Sequence, residues 1–292
     1  MPIAFLPDRA IIRVSGPDAR HFLHNVVTCA VEDLAPGGAR FGALLLPQGK
    51  IVSDFLLYAP QDEPDLFLLD APRAMVEDLL KRLSLYRLRA KVELALDPDL
   101  AVGARWSAPG AADVEETAPG ALVFADPRLP ALGDRLVLTR AAAAALGDEV
   151  DAARDAYDAH RITLGIPQGG ADFIYGDAFP HEVDMDQLGG VDFKKGCYVG
   201  QEVVSRMQHR GTARTRVVLA GFENAPEPGS EIRAGEKTIG RIGSATGGTG
   251  IALVRLDRAG DARAAGLPLV ASGVEITLRR PDWALFDMAG AQ

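Results

Sequence analysis

The chain has 292 residues, 48% of them hydrophobic and 24% charged, and its 31 Lys plus Arg against 40 Asp plus Glu leave a formal net charge of −9. This length buries a substantial core but is long for one compact domain, so two or three are expected. The acidic balance opposes direct contact with nucleic acid or anionic lipid, and the apolar runs fall short of the roughly 20 residues that span a bilayer.

With no basic segment followed by an apolar one at the N-terminus, these features predict a cytoplasmic protein without membrane attachment. Two cysteines, Cys29 and Cys197, exclude a disulfide framework and a CxxC metal or redox site. They also exclude a four-cysteine cluster held within one chain.

In chain order, Ala10–Val14 reads as a strand, Ser15-Gly16-Pro17 as a turn, and the next residues as a helix with Phe22, Leu23, Val26 and Val27 on its apolar side. Pro17 suits the first helical position. Phe41–Leu46 and Ile51–Tyr58 form a hairpin around Pro47-Gln48-Gly49-Lys50. Strand Asp65–Asp70, helix Arg73–Leu85 and strand Lys91–Leu96 follow, an order typical of α+β folds. Between Asp97 and Pro130 the chain is rich in Ala, Gly, Pro and acid, so strands such as Leu122–Ala125 are expected to be short. After the run Ala141–Leu146, a helix over Val150–Leu164 places Tyr157, Arg161 and Leu164 on one face.

From Thr212 the pattern changes to short alternating strands: Arg216–Phe222, Glu231–Ala234, Lys237–Ser244, Gly250–Leu256 and Val274–Arg279. They predict a C-terminal β-barrel or sandwich. The expected division is 1–208 for two α+β lobes, interleaved as 1–40 with 142–208 and 41–141, and 209–292 for the barrel. The glycine cluster Gly243 to Gly250 lacks the lysine of a phosphate loop and reads as a turn between strands.

Asp192-Phe193-Lys194-Lys195-Gly196-Cys197-Tyr198-Val199-Gly200-Gln201-Glu202 is the segment richest in chemistry. It sets a thiol beside two lysines and ahead of a helix expected over Gln201–Gln208, and both influences favour the thiolate of Cys197. Packing at a glycine-rich turn is the alternative. Residues 192–216 carry six Lys and Arg against two acids, a net of +4, which suits a small polyanion such as a polyglutamate tail or is an ordinary solvated face. In the strand Ile51–Tyr58, alternation puts Val52, Asp54 and Leu56 on one side. An acid on that apolar face is either paired, at an edge, or placed to meet a ligand nitrogen. His21 and His24 have no acidic or thiol partner in their pattern and read as a surface helix face, so no metal site is assigned.

The octapeptide Lys195-Gly196-Cys197-Tyr198-Val199-Gly200-Gln201-Glu202 resembles the signature of the YgfZ family of folate-binding proteins, bacterial relatives of a mitochondrial iron–sulfur assembly factor. Further matches run nearly end to end: Ser15-Gly16-Pro17-Asp18-Ala19, Pro47-Gln48-Gly49-Lys50, Asp126-Pro127-Arg128, and Arg161 with Gly165-Ile166-Pro167. The resemblance implies the fold of the glycine-cleavage T-protein (aminomethyltransferase) superfamily. That is an α+β cloverleaf of two ferredoxin-like lobes plus a C-terminal β-barrel around a central folate cavity. It implies tetrahydrofolate or a one-carbon derivative as cofactor, in mono- or polyglutamylated form. Contacts are expected from Asp54, Arg161, Lys195, Gly196, Tyr198, Gln201, Glu202 and Arg206.

Chemical roles fall to Cys197, to Lys195 as its electrostatic partner, and to Asp54. Ser53 stands where T-proteins carry a second acid, and no GYTGE-like segment occurs, Phe124-Ala125-Asp126-Pro127-Arg128 lying in its neighbourhood. Cys197 points away from aminomethyl transfer. It points toward an accessory protein for iron–sulfur enzymes or their assembly proteins, with an indirect effect on tRNA modification. A folate-dependent aminomethyl or one-carbon transferase and a non-catalytic folate scaffold are the alternatives.

Overall fold

A computed structural model describes residues 1–107, 120–145, 150–211 and 213–288. Leu146, Thr212 and part of the 97–130 stretch lie outside them. The chain divides into two compact units, the first formed by Met1–Pro47, Ile51–Tyr157 and Leu188–Gln201, the second by Gln48–Lys50, Asp158–Gln187 and Glu202–Gln292. Among the described residues no helix is long and apolar enough to cross a membrane.

The first unit runs β1 (Ile3–Phe5), β2 (Arg9–Ser15), α1 (Ala19–Val26), β3 (Ala39–Leu45), β4 (Ile51–Tyr58), β5 (Leu66–Pro72), α2 (Val76–Arg87) and β6 (Glu93–Asp97). It continues through β7 (Leu100–Arg105), β8 (Leu122–Ala125), β9 (Asp134–Thr139) and the short α3 (Arg140–Ala144). These strands make two antiparallel sheets, ordered β3-β4-β5-β2-β6 and β1-β7-β9-β8. The apolar stripe of α1 (Phe22, Leu23, Val26) and that of α2 (Val76, Leu79, Leu83) bury against Ile12, Val14, Phe55, Leu57, Phe67 and Leu69 of the larger sheet. Each such side chain contributes about 1.5–3 kcal/mol by leaving water.

Pro17 precedes the helix instead of opening it, because α1 begins at Ala19. Gly16 sits at φ +122, and a Cβ there would strike the carbonyl oxygen of Lys91. Close approach of this turn to the chain before β6 is what demands glycine.

One register detail decides which way Asp54 faces. The β3–β4 pairing slips between Leu44 and Leu45, which stand opposite Ser53 and Ile51. Val52 is the extra residue, and the bulge shifts the alternation after it. Val52 therefore joins Phe55 and Leu57 in the helix-covered core, while Asp54, Leu56 and Tyr58 take the other face. The strict alternation expected for Val52, Asp54 and Leu56 is corrected by this one bulge.

Helices α4 (Val150–Thr163) and α5 (Gln201–Arg210) each cross from one unit to the other. The second unit contains a closed barrel ordered β10-β13-β12-β11-β14-β15. Its strands are β10 (Thr215–Gly221), β11 (Glu231–Ala234), β12 (Lys237–Thr246), β13 (Thr249–Arg255), β14 (Leu269–Ala271) and β15 (Val274–Arg279), with α6 (Leu256–Ala264) between β13 and β14. Val218, Ile232, Ile239, Ile242, Ala252 and Val254 fill its interior. Closure leaves no exposed strand edge. Only Gly247-Gly248 of the glycine cluster forms the hairpin turn, since β12 runs on to Thr246.

Candidate functional site

In the first unit the 188–201 segment is held to the edge of the larger sheet by Thr28, which lies just past α1. Thr28 donates its backbone N–H to Ala43 of β3 (3.0 Å), and Ala43 donates back to Oγ1 (2.9 Å). On its other side Thr28 Oγ1 donates to the carbonyl of Gly190 (2.6 Å), and its own carbonyl accepts from Asp192 (2.9 Å). Ala43 pairs directly with Asp54 across β3–β4. Thr28 thus brings the glycine–cysteine segment and the Asp54 strand into one continuous layer. Neither spacing nor composition singles out this threonine.

The loop itself is shaped by Asp192, whose Oδ1 accepts from the backbone N–H of Lys194 (2.7 Å) and of Lys195 (3.0 Å). Lys195 turns inward. Its Nζ donates to the carbonyl oxygens of His24 and Val27, the last acceptors of α1, the second at 2.6 Å, and lies 5.1 Å from the centre of the Tyr198 ring. A cation at this end of a helix meets unsatisfied carbonyls and the negative pole of the dipole. Burial brings Lys195 down to about 8, opposed by Cys29 and Asp192. The pairing of Lys195 with Cys197 expected above gives way to a helix cap, because the ammonium is committed to α1.

The two cysteines differ sharply. Cys29 is buried and its thiol is pushed up to about 12 by desolvation, against the pull of Lys195; its Sγ packs on Gly42, where a Cβ would come within 2.6 Å of the sulfur. Cys197 is exposed. Tyr198 is buried and its hydroxyl has no hydrogen-bond partner among the described residues; burial pushes it up to about 12, with Asp192 adding to the effect. His24 is no surface residue. Its Nδ1 accepts from the backbone N–H groups of Val31 (3.2 Å) and Glu32 (3.3 Å), and burial, then Lys195, lower its pKa. His21 does remain exposed, bonded to Glu32 at 3.1 Å.

Asp54 is buried, at 7% exposure, on the face of the larger sheet that meets the smaller one. There Tyr58 stacks on Phe124 with centroids 4.4 Å apart. Around them runs a buried ionic chain. Asp70 accepts from Arg9 Nε (2.6 Å) and the Tyr58 hydroxyl (3.0 Å), while Arg135 donates to Asp126 (3.2 Å) and to the Tyr157 hydroxyl (2.9 Å). Asp126 also binds Arg128 in bidentate fashion, at 3.0 and 2.7 Å. Burial alone would raise the Asp126 carboxyl; Arg128 and Arg135 outweigh it and hold it at about 2. The Asp126-Pro127-Arg128 motif is therefore the core of an ion network, a role its sequence does not disclose.

In the second unit Arg161 is likewise engaged throughout. It donates to Asp158 (2.8 Å), to the Ile166 carbonyl (3.2 Å), to Asp172 (3.0 Å) and to Ser244 of β12 (3.0 Å). Asp172 in turn accepts from the backbone of Gln168 (2.7 Å) and Ser244 (2.6 Å). With every guanidinium nitrogen satisfied inside the unit, Arg161 positions the 164–172 turn on the barrel.

The basic patch changes too. Arg216 is buried against the His181 carbonyl (2.7 Å), Asp184 (3.2 Å) and Asp186 (2.6 Å), and Arg206 pairs with Glu202 one turn back at 2.6 Å. Of the six cations, Arg206, Arg216 and Arg214, the last 4.0 Å from Asp257, are thus paired with carboxylates, and Lys195 is taken up by backbone carbonyls. Gly196 is exposed and Gln201 opens α5.

A family model described as CAF17, C-terminal beta-barrel domain, matches residues 214–286, the barrel just described. Over 276 residues the chain is 35% identical to the "Iron-sulfur cluster assembly factor IBA57, mitochondrial" of Homo sapiens, covering 85% of this chain and 76% of that protein. The chain belongs to the IBA57 family. IBA57 homologues of Neurospora crassa (35% identical, 73% of this chain) and Mycosarcoma maydis (33%, 77%) agree, and the chain spans 52% and 58% of their lengths.

Among solved structures, the glycine cleavage system aminomethyltransferase T of Bartonella henselae superposes with a TM-score of 0.70 over 97% of this chain and 86% of that one, at 15% identity. The fold is therefore the expected T-protein-like one, an α+β body with a closed C-terminal barrel. IBA57 relatives are mitochondrial by name, which overturns the cytoplasmic expectation. Hydropathy and charge distinguish water from membrane, but they do not distinguish one aqueous compartment from another.

Proposed function

We propose that this IBA57-family chain works in iron–sulfur cluster assembly, offering the Cys197 sulfur to a cluster completed by thiols of a partner protein. The observation that carries this is the contrast between its two cysteines: Cys29 is sealed with its thiol pushed to about 12, and Cys197 is exposed on a segment anchored through Thr28. A thiolate is the species that ligates iron, and one accessible thiol per chain fits transfer better than storage. The relatives named as assembly factors support the same reading.

The finer reading is a YgfZ-like protein that binds tetrahydrofolate and affects tRNA modification only through cluster-dependent radical enzymes. Two features of the first unit fit a folate: the buried Asp54 carboxylate, able to accept from an amine N–H, and the buried Tyr198 hydroxyl without a partner. When bound, tetrahydrofolate supplies a one-carbon carrier. Asp54 would orient its ring by accepting a hydrogen bond from a ring or amine N–H, and Lys195 would keep the loop at Tyr198 in place.

The test is anaerobic cluster transfer from a purified cluster-loaded assembly protein, followed by visible absorbance and by activation of a cluster-dependent enzyme. Cys197→Ser should abolish transfer while Cys29→Ser preserves it. Full transfer by a stably folded Cys197→Ser protein would refute the proposal.

A further inference from the structure

The end of α2 and the turn into β6 differ in character from the rest of this acidic chain. From Leu79 to Val92 the sequence carries Lys81, Arg82, Arg87, Arg89 and Lys91 and no acid. Arg82 is tied to Asp78 at 2.7 Å, and Arg87 reaches the Val92 carbonyl at 3.3 Å. Lys81, Arg89 and Lys91 are exposed, and their side chains make no ion pair among the described residues.

Two leucines stand among these cations and face water, Leu85 at 68% exposure and Leu88 at 87%. The apolar face of α2 is already committed to the core through Val76, Leu79 and Leu83, so neither leucine belongs to that packing. Leu88 also has φ 47 and ψ −108, a left-handed conformation that glycine adopts freely and a side-chain-bearing residue rarely does. Unrelieved strain of this kind concentrates where a side chain is held for a purpose.

We infer that the tip Lys81–Lys91 is a docking surface for an acidic protein partner that brings apolar side chains to Leu85 and Leu88. An exposed apolar pair flanked by cations, of which Arg82 alone is matched to an acid, has the anatomy of a recognition patch. On a chain of net charge −9, a local excess of cations steers an acidic surface to this one place.

A long phosphate backbone fits less well. Beyond the tip it meets Glu93, Asp97 and Asp99, and the leucines offer it nothing. A bilayer fits less well again, because α2 has no second apolar face to lay on it.

The test uses the full chain and fluorescence anisotropy with a short labelled helical peptide carrying glutamates around a pair of leucines. Its glutamine-for-glutamate counterpart, a single-stranded oligonucleotide and phosphatidylserine vesicles are the comparisons. The acidic peptide should bind, and the Leu85→Ser/Leu88→Ser and Arg87→Glu/Arg89→Glu proteins should each bind it about tenfold more weakly with unchanged melting temperature. Raised salt should weaken the wild-type complex. Equal binding of the acidic and glutamine peptides, no binding of either, or undiminished binding by both variants would overturn the inference. So would binding of the oligonucleotide or vesicles that the same variants abolish.

Discussion

Replacing Lys195 with methionine separates two roles that the sequence alone leaves merged. Methionine keeps an unbranched side chain of similar length but removes the ammonium that closes α1 through the carbonyls of His24 and Val27. Each charge-assisted hydrogen bond contributes about 1.5–3 kcal/mol, and a cation at a partly buried helix C-terminus up to about 2 kcal/mol. Desolvation, the influence that lowers Lys195 to about 8, offsets much of this. Because the depressed value shows desolvation weighing more on the ammonium than its partners do, the net loss at pH 7 is expected to be at most about 2 kcal/mol, or about 4–8 °C in melting temperature for a chain of this size.

The pH dependence carries a second signature. A lysine with a depressed folded-state pKa contributes stability that is whole above the unfolded value of 10.5 and is lost as pH falls through about 8. Wild type should therefore gain on the methionine variant as pH rises through that window. Unfolding of the two proteins by urea at pH 7 and pH 9, together with the rate of Cys197 alkylation at pH 7, makes the measurement. Unchanged stability combined with markedly slower alkylation would refute the helix-cap assignment and restore Lys195 as partner of the thiol.

Removing the charge of Asp126 with Asp126→Asn should cost about 3–5 kcal/mol by leaving Arg128 and Arg135 without their shared anion. Because its carboxyl is held at about 2, its contribution is whole above 3.8 and disappears as pH falls through 2, so in acid titration of unfolding the two proteins converge there. Asp54→Asn should weaken tetrahydrofolate binding by about 1–3 kcal/mol in calorimetry, and an unchanged affinity would return Asp54 to a purely structural role. Gly42→Ala forces its new methyl onto Cys29 Sγ and should destabilise the fold by about 1–3 kcal/mol. Cys29→Ala should restore most of that loss in the double variant.

Much of the architecture was legible in local pattern, because a strand or helix that buries one face writes its period into the chain. Glu231–Ala234 and Val274–Arg279 are strands with the expected bounds, and β4, α4 and α5 begin where expected. The Lys195 to Glu202 signature likewise pointed to bacterial relatives of the family. Strands β1, β7 and β9 were not legible: they pair with one another across sequence distances that local alternation does not encode, in stretches where alanine and glycine blunt the pattern.

At the site, residue identity was visible but direction was not. A one-residue bulge at Val52 reverses which neighbours accompany Asp54. Arg161 and Arg216 read as available cations and prove to be buried and paired with Asp172, Asp184 and Asp186. Lys195 looks adjacent to Cys197 along the chain, yet its ammonium caps a helix 171 residues away. Sequence by itself determined which side chains carry charge, thiol and apolar area. Only the tertiary structure decided which charges are neutralised, because a cation's partner is set by what folding brings within hydrogen-bond reach and by how much water burial removes.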